Sequence, residues 1–132
     1  MGNRAVLTFS TASTAPAIYL HWNGGRASVE GFLQAAKAIG IRHAGSAHAK
    51  TMDALAETIA RHFFGCHVGT TVYRFPYDQT DRDNGDNGVY ILAEDMTIKS
   101  RKHRPADGEE RNPKKTIEIF EHITARAPIF NN

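Results

Sequence analysis

The sequence predicts an α+β domain with a largely antiparallel sheet of about five strands and about three helices covering one face. Two strand-like segments open the chain, two helix-like segments follow, and three more strands and a last helix complete it. Runs of strands separated by runs of helices favour this class over a doubly wound parallel sheet. A length of 132 residues with 41% hydrophobic content suits one domain spanning residues 1–132.

The first two strands are predicted from alternating side chains. Residues 4–9 place Ala5, Leu7 and Phe9 on one face, which is the period of a strand. Residues 17–22 form the second strand, on which Tyr19 and His21 share a face.

Apolar residues at helical spacing predict the two central helices. Ser28 caps the first helix, and Gly40 ends it as a left-handed residue. The second helix spans residues 49–63 and ends at Gly65. The remaining elements are strands at 71–75, 89–93 and 96–101 and a helix between Asn112-Pro113 and Pro128.

Composition excludes several classes of protein. The single cysteine, Cys66, rules out an intramolecular disulfide and a four-cysteine zinc site, and it predicts a reducing, cytoplasmic environment. A stretch of about 20 apolar residues is absent, so no membrane partner is predicted. The formal charge of +2 is too small for general DNA wrapping, and no cofactor is predicted.

The turn between the second strand and the first helix is a candidate ligand site. Two adjacent glycines let the backbone approach a ligand, and helix N–H groups beside an arginine favour an anion. In the alternative interpretation the glycines only form a turn, Trp22 anchors the core and His21 is structural. The candidate residues are Tyr19, His21, Trp22, Asn23, Gly24, Gly25 and Arg26.

This turn also carries a family resemblance. The segments that carry it are Asn3-Arg4-Ala5-Val6, Tyr19-Leu20-His21-Trp22-Asn23-Gly24-Gly25, Ser28-Val29-Glu30 and Phe32-Leu33. They resemble a family of small uncharacterised proteins from bacteria and their phages, over about the first quarter of the chain. The resemblance implies no known activity.

A basic segment near the C-terminus is a candidate surface for an anion or nucleic acid. Its candidate residues are Lys99, Arg101, Lys102, Arg104, Lys114 and Lys115. The two last lysines lie in the first turn of a helix, where cations oppose the helix dipole. The positive charge of these lysines is offset either by Glu109 and Glu110 or by a phosphate or an acidic protein surface. Aromatic residues on which bases would stack occur only elsewhere, in residues 73–77.

An acidic loop precedes the basic segment. Six of the 14 acidic residues lie between Asp78 and Asp95, which suits either solvation or a basic partner. Asp83, Asn87 and Glu94 partly match calcium-loop spacing, but Gly85 stands where a ligand is needed, and a solvated hairpin loop is the preferred interpretation.

The scattered histidines do not predict a metal site. His62, Cys66 and His67 lie near one another in sequence, as do His43 and His48. Tetrahedral zinc needs three or four converging ligands, and sequence proximity alone does not provide them. We therefore predict no metal.

These patterns predict a non-catalytic binding or accessory protein of a bacterium or phage that acts on a protein or nucleic-acid partner. The alternative is a small-molecule-binding protein or small enzyme with its site at Tyr19 to Arg26. Catalysis is the less favoured interpretation, because no Gly-x-Ser-x-Gly nucleophile elbow occurs. An exposed fifth strand would also allow a homodimer.

Overall fold

A computed structural model describes residues 2–43, 48–104 and 111–130 of the chain. The strands are β1 (Ala5–Thr8), β2 (Pro16–Leu20), β3 (Val72–Pro76), β4 (Val89–Leu92) and β5 (Ile98–Lys102). The helices are α1 (Arg26–Ala38), α2 (His48–Ile59) and α3 (Pro113–Thr124).

The strands form one mixed sheet in the order β3-β2-β1-β4-β5. Three of its four pairings are antiparallel, and only β1 and β4 run parallel. The predicted α+β class with a largely antiparallel sheet is therefore confirmed, and each predicted strand is present to within about two residues. None of the helices in the described ranges combines the length and apolar content needed to cross a membrane.

One side of the sheet, the helical face, carries the main core. Leu7, Ile18 and Tyr90 are fully buried there against Phe32 of α1 and residues of the other two helices. Burying each large apolar side chain contributes about 1.5–3 kcal/mol, so this layer supplies most of the hydrophobic stabilisation.

The opposite side, the open face, is only partly covered. A short 3-10 turn, Tyr77–Gln79, follows β3 and places the Tyr77 ring on Val6, Ala17 and Val89. This small second core covers the middle of the face. Tyr73 and Phe75 of β3 lie outside this small core.

The first helix begins earlier than predicted. Gly25, not Ser28, is its N-cap, with φ −67° and ψ 156°, and no side chain caps it. Ser28 lies inside the first turn and is buried. The prediction was wrong because Gly25 already reaches the extended conformation that an N-cap requires.

The second helix ends as predicted at Gly65, but through a π-helical turn. Residues 60–64 form that turn, and Gly65 follows with φ +68°. The wider turn lets two consecutive side chains face the core. The ring centres of Phe63 and Phe64 lie 5.0 and 6.4 Å from that of Phe32. Helical spacing alone would have brought only one of them inward.

Candidate functional site

A row of aromatic side chains runs along the β2 and β3 side of the open face, next to the small core under Tyr77. Its members, here called the aromatic row, are Trp22, His21, Tyr19, Tyr73 and Phe75. Tyr19 pairs directly with Tyr73 across β2 and β3, and their rings lie 6.0 Å apart. Tyr73 and Phe75 are stacked at 6.0 Å with an interplanar angle of 7°. The row brings side chains of β2 and of the turn after it together with side chains of β3, which follows two helices later in the sequence.

The outer members of the row are exposed to solvent. Trp22 is 45% exposed and Phe75 is 38% exposed. The interpretation of Trp22 as a core anchor was wrong, because β2 ends at Leu20 and Trp22 lies beyond the sheet. Its ring instead packs edge-on against His21 at 5.2 Å. Large exposed aromatic side chains are uncommon and mark interaction surfaces when they are contiguous.

Two separate sets of polar contacts lie on the β1 side of the row. The Arg4 guanidinium donates from Nε to Asp86 Oδ2 at 2.8 Å and lies 3.7 Å from Asp81. The Tyr19 hydroxyl and the His21 Nδ1 atom are joined by a hydrogen bond of 3.1 Å. Tyr19 and His21, which the sequence placed on one face, are therefore in direct contact.

The surroundings of Asp86 and Tyr19 shift the pKa values of these two groups. The hydrogen bond from the Arg4 side chain, followed by one from its backbone N–H, holds the pKa of Asp86 below its ordinary value of 3.8. Burial raises the pKa of the Tyr19 hydroxyl, and nearby Asp81 raises it further. Asp86 is therefore an anion and Tyr19 a neutral phenol over the physiological pH range.

The Arg4–Asp86 pair predicts a pH dependence of stability. A carboxyl group with a lowered folded-state pKa stabilises the fold above its unfolded pKa, and this is lost as the pH falls through the folded pKa. We expect Asp86→Asn to lower the free energy of unfolding by a constant amount from neutral pH to about pH 4, with the loss shrinking below that. Urea denaturation over a pH series measures it.

A matched variant separates the loss of the Arg4–Asp86 pair from the loss of one negative charge in the loop. Asp83 is an exposed aspartate of the same loop, so Asp83→Asn removes one carboxylate outside the Arg4 pair. A destabilisation by Asp86→Asn that stays constant through the acid range would contradict the prediction.

The predicted glycine turn is filled by the protein itself. The Gly24 N–H donates to the Asn3 carbonyl at 2.8 Å, and the Gly24 carbonyl accepts from the Tyr90 hydroxyl at 2.6 Å. A Cβ atom at Gly24 would lie 2.6 Å from the Asn3 carbonyl oxygen and 2.7 Å from the Ala5 Cβ atom. Glycine is therefore needed here for contact with β1.

The rest of the turn is occupied by local contacts. Asn23 adopts φ +58°, and its amide lies 3.5 Å from the Ser28 hydroxyl. Gly25 caps α1, and the Arg26 guanidinium lies 3.7 Å from Glu30 one turn later. The predicted ligand residues thus divide into the aromatic row and a structural turn.

The predicted basic residues do not meet the aromatic row. Lys99 and Lys102 are exposed residues of β5, and this strand forms the edge of the sheet opposite to β3. Four strand spacings separate these edges, or about 19 Å. Arg101 stacks on the Tyr90 ring at 3.8 Å and donates to the Asn87 carbonyl at 2.8 Å, so it has a structural role.

The remaining basic candidates lie near the start of α3. Lys114 and Lys115 occupy its first turn and are exposed, and the Asn112 side chain caps the helix by accepting from the Lys115 N–H at 3.1 Å. Arg104 is half-buried. Glu109 and Glu110, the predicted local partners of these lysines, lie outside the described residues.

Asn84 organises the acidic loop, a role that sequence reasoning missed. It is buried, and its Oδ1 atom accepts from the N–H groups of Asp86, Asn87 and Gly88. Its amide donates to the carbonyls of Asp81 and Gly88. The two Asn-Gly steps were the only sequence signal of this turn.

The calcium-like residues lie apart in the fold. The Asn87 amide donates to the Asn3 side chain and the Arg4 carbonyl, and Asp83 is exposed. The whole of β4 lies between Asn87 and Glu94, so the three side chains do not converge. Within residues 2–43, 48–104 and 111–130, no three His, Cys, Asp or Glu side chains are grouped to hold a metal ion.

Most of the aromatic row lies outside five of the best-formed cavities of the described residues. None of these five surface cavities is lined by Tyr19, His21, Trp22 or Tyr73, whereas Phe75 borders a cavity of about 260 Å³ beside Pro16 and Arg74. The fold and the row together define an α+β protein that presents an aromatic sheet face. No protein-family model, curated protein or solved structure matches this chain.

Proposed function

We propose that this chain is a non-catalytic binding module, a cytoplasmic accessory protein of a bacterium or phage, and that the aromatic row docks a protein partner. The exposure of Trp22 and Phe75 at the two ends of the row carries the proposal. The single cysteine supports the cytoplasmic setting. The resemblance of the N-terminal segments supports the bacterial or phage origin.

The row has the character of a protein-binding hot spot. Tryptophan, tyrosine and phenylalanine are enriched at protein interfaces, and tryptophan and tyrosine are frequent among the few residues that dominate the binding energy. The sheet ladder holds Tyr19 and Tyr73 in place, and the hydrogen bond between Tyr19 and His21 orders the next ring. Ordered side chains lose little conformational entropy on binding, which favours affinity.

Charge indicates the chemistry of the partner. Asp78, Asp81 and Asp83 are exposed on the loop that borders the row. The chain already stacks arginine on tyrosine twice, with Arg82 5.2 Å from the Tyr77 ring centre and Arg101 3.8 Å from that of Tyr90. A partner segment that carries arginine and apolar side chains would therefore gain both ion pairing and cation–π contact.

The two other interpretations fit the geometry less well. Bases can stack on aromatic rings, but the acidic loop repels phosphates, and the exposed lysines of β5 lie at the opposite sheet edge. A small molecule needs a concave pocket, whereas Tyr19, His21 and Trp22 line none of the five cavities and contact with β1 fills the turn at Gly24.

The test is a calorimetric titration with a short synthetic peptide that alternates arginine and leucine. We expect it to bind, whereas a peptide alternating glutamate and leucine does not. Phe75→Ala and Trp22→Ala should each weaken binding about tenfold, because removing an interface hot spot costs about 1–2 kcal/mol. Ile117→Ala is the matched control, since Ile117 is a 54% exposed apolar residue of α3 away from the row.

Nucleic acid provides the opposing arm of the test. Oligothymidylate should not bind at moderate salt. If it binds with a steep salt dependence and Phe75→Ala abolishes this, the partner is a nucleic acid and the protein-binding proposal fails. Equal losses in Ile117→Ala and Phe75→Ala would also overturn it.

A further inference from the structure

A pair of histidines meets at the end of the sheet opposite Trp22. His43 lies on the connector after α1, and His48 is the first residue of α2. Their Nε2 atoms are 2.6 Å apart, and both rings are half-buried. The sequence placed them near each other but did not indicate that the two nitrogen atoms converge.

Phe9 positions both imidazole rings. Its ring packs edge-on against His43 at 4.8 Å and stacks on His48 at 5.2 Å. The two imidazoles are themselves 4.6 Å apart, at an angle of 58°. Contact with one aromatic ring restricts both rotations, so the two nitrogens are preorganised toward a common point.

Acidic side chains line the same cavity. The space, about 800 Å³, is bounded by the two histidines, by Glu94 and Asp95 of the turn after β4, and by Lys99. Hydrogen bonds from Thr97, through its N–H and its hydroxyl, fix the Asp95 carboxylate. Two carboxylates and the Lys99 ammonium group therefore border the cavity.

We propose that His43 and His48 together bind one divalent transition-metal ion of the imidazole-preferring class, Cu²⁺, Ni²⁺ or Zn²⁺. Two imidazole nitrogens at metal–nitrogen distances of 2.0–2.1 Å lie about 2.9–3.4 Å apart for bond angles between square and tetrahedral. A separation of 2.6 Å reaches that range by an opening of less than about 1 Å.

The remaining coordination positions are open in this geometry. Two protein nitrogens are in place, and water fills the other positions, while the Glu94 carboxylate lies in the wall of the same cavity. Such a site is exchangeable, and its affinity follows the general order in which Cu²⁺ binds most tightly. Hard ions such as Ca²⁺ and Mg²⁺ prefer oxygen ligands and gain little from two imidazoles.

Calorimetric titration of the untagged full chain with NiCl₂ and with ZnCl₂ tests the site. We expect one ion per chain, and a loss of at least about tenfold in affinity for His43→Ala and for His48→Ala. Glu94→Gln should weaken binding less. His67→Ala and His103→Ala are the controls, because both histidines are exposed and neither lines this cavity.

A second measurement covers the case in which a variant alters folding. Bound metal stabilises the native state, so excess Ni²⁺ should raise the melting temperature of the unmodified chain and of His67→Ala but not that of His48→Ala. Stoichiometric binding that both cavity variants retain would overturn the site. So would the absence of binding, which would leave the pair as a hydrogen bond only.

Discussion

Gly88→Ala is expected to destabilise the fold by roughly 2–5 kcal/mol, which corresponds to a fall of roughly 10 °C in melting temperature. Gly88 adopts φ +65°, where a Cβ atom is strained. That atom would also collide with the Lys102 carbonyl and lie 2.7 Å from the His103 backbone. Because the Gly88 carbonyl accepts from the Val6 N–H at 2.9 Å, any shift disturbs the start of the β1–β4 pairing.

Gly85→Ala is the matched control, since both glycines follow an asparagine in the same loop. Gly85 adopts φ +78°, but the nearest atom to its Cβ would be the tip of Arg4 at 3.9 Å. Its replacement should cost only the backbone strain, about 1–2 kcal/mol. Thermal unfolding of both variants separates the steric clash at Gly88 from the backbone strain that the two positions share. Equal losses of stability in the two variants would contradict the clash at Gly88.

Gly24→Ala is expected to cost about 1–3 kcal/mol for a different reason. The backbone at Gly24 avoids the left-handed region, so the cost comes only from contact with the Asn3 carbonyl, the Arg4 backbone and the Ala5 side chain. Moving the turn also weakens the buried hydrogen bond from the Tyr90 hydroxyl to the Gly24 carbonyl. Chemical denaturation measures the loss.

Gly65→Ala provides the comparison for Gly24. Its Cβ would meet no atom within 4 Å, although φ is +68°. We expect Gly24→Ala to be at least as destabilising as Gly65→Ala, despite the easier backbone conformation. A fully stable Gly24→Ala protein would show that the turn has spare room, and the interpretation of this segment as a ligand site would regain support.

The sequence was sufficient for the fold class and its elements because local patterns determine them, but it did not indicate the strand order or the parallel pairing of β1 with β4. The alternation in residues 4–9 and 17–22 reflects a sheet with one fully buried face. Pro113 marks the start of α3 because its fixed backbone angle suits the first turn of a helix. The π-helical turn was not predictable, because it depends on how Phe63 and Phe64 both reach Phe32.

The aromatic row was only half predictable. Tyr19 and His21 were placed on one face by alternation, but their meeting with Tyr73 depends on the register between β2 and β3, which are separated by two helices in sequence. The exposure of Trp22 depends on where β2 ends. Likewise, the histidine pair depends on how the connector returns to the sheet beside Phe9.

A map of backbone amide shifts during titration with the arginine–leucine peptide tests the protein-docking surface most directly. We expect the largest shifts at residues 19–22 and 73–75 and at the bordering residues 78–86, with small shifts in β5 and α3. A map centred on residues 99–102 and the first turn of α3, or shifts produced by oligothymidylate and not by the peptide, would contradict a protein-docking aromatic row.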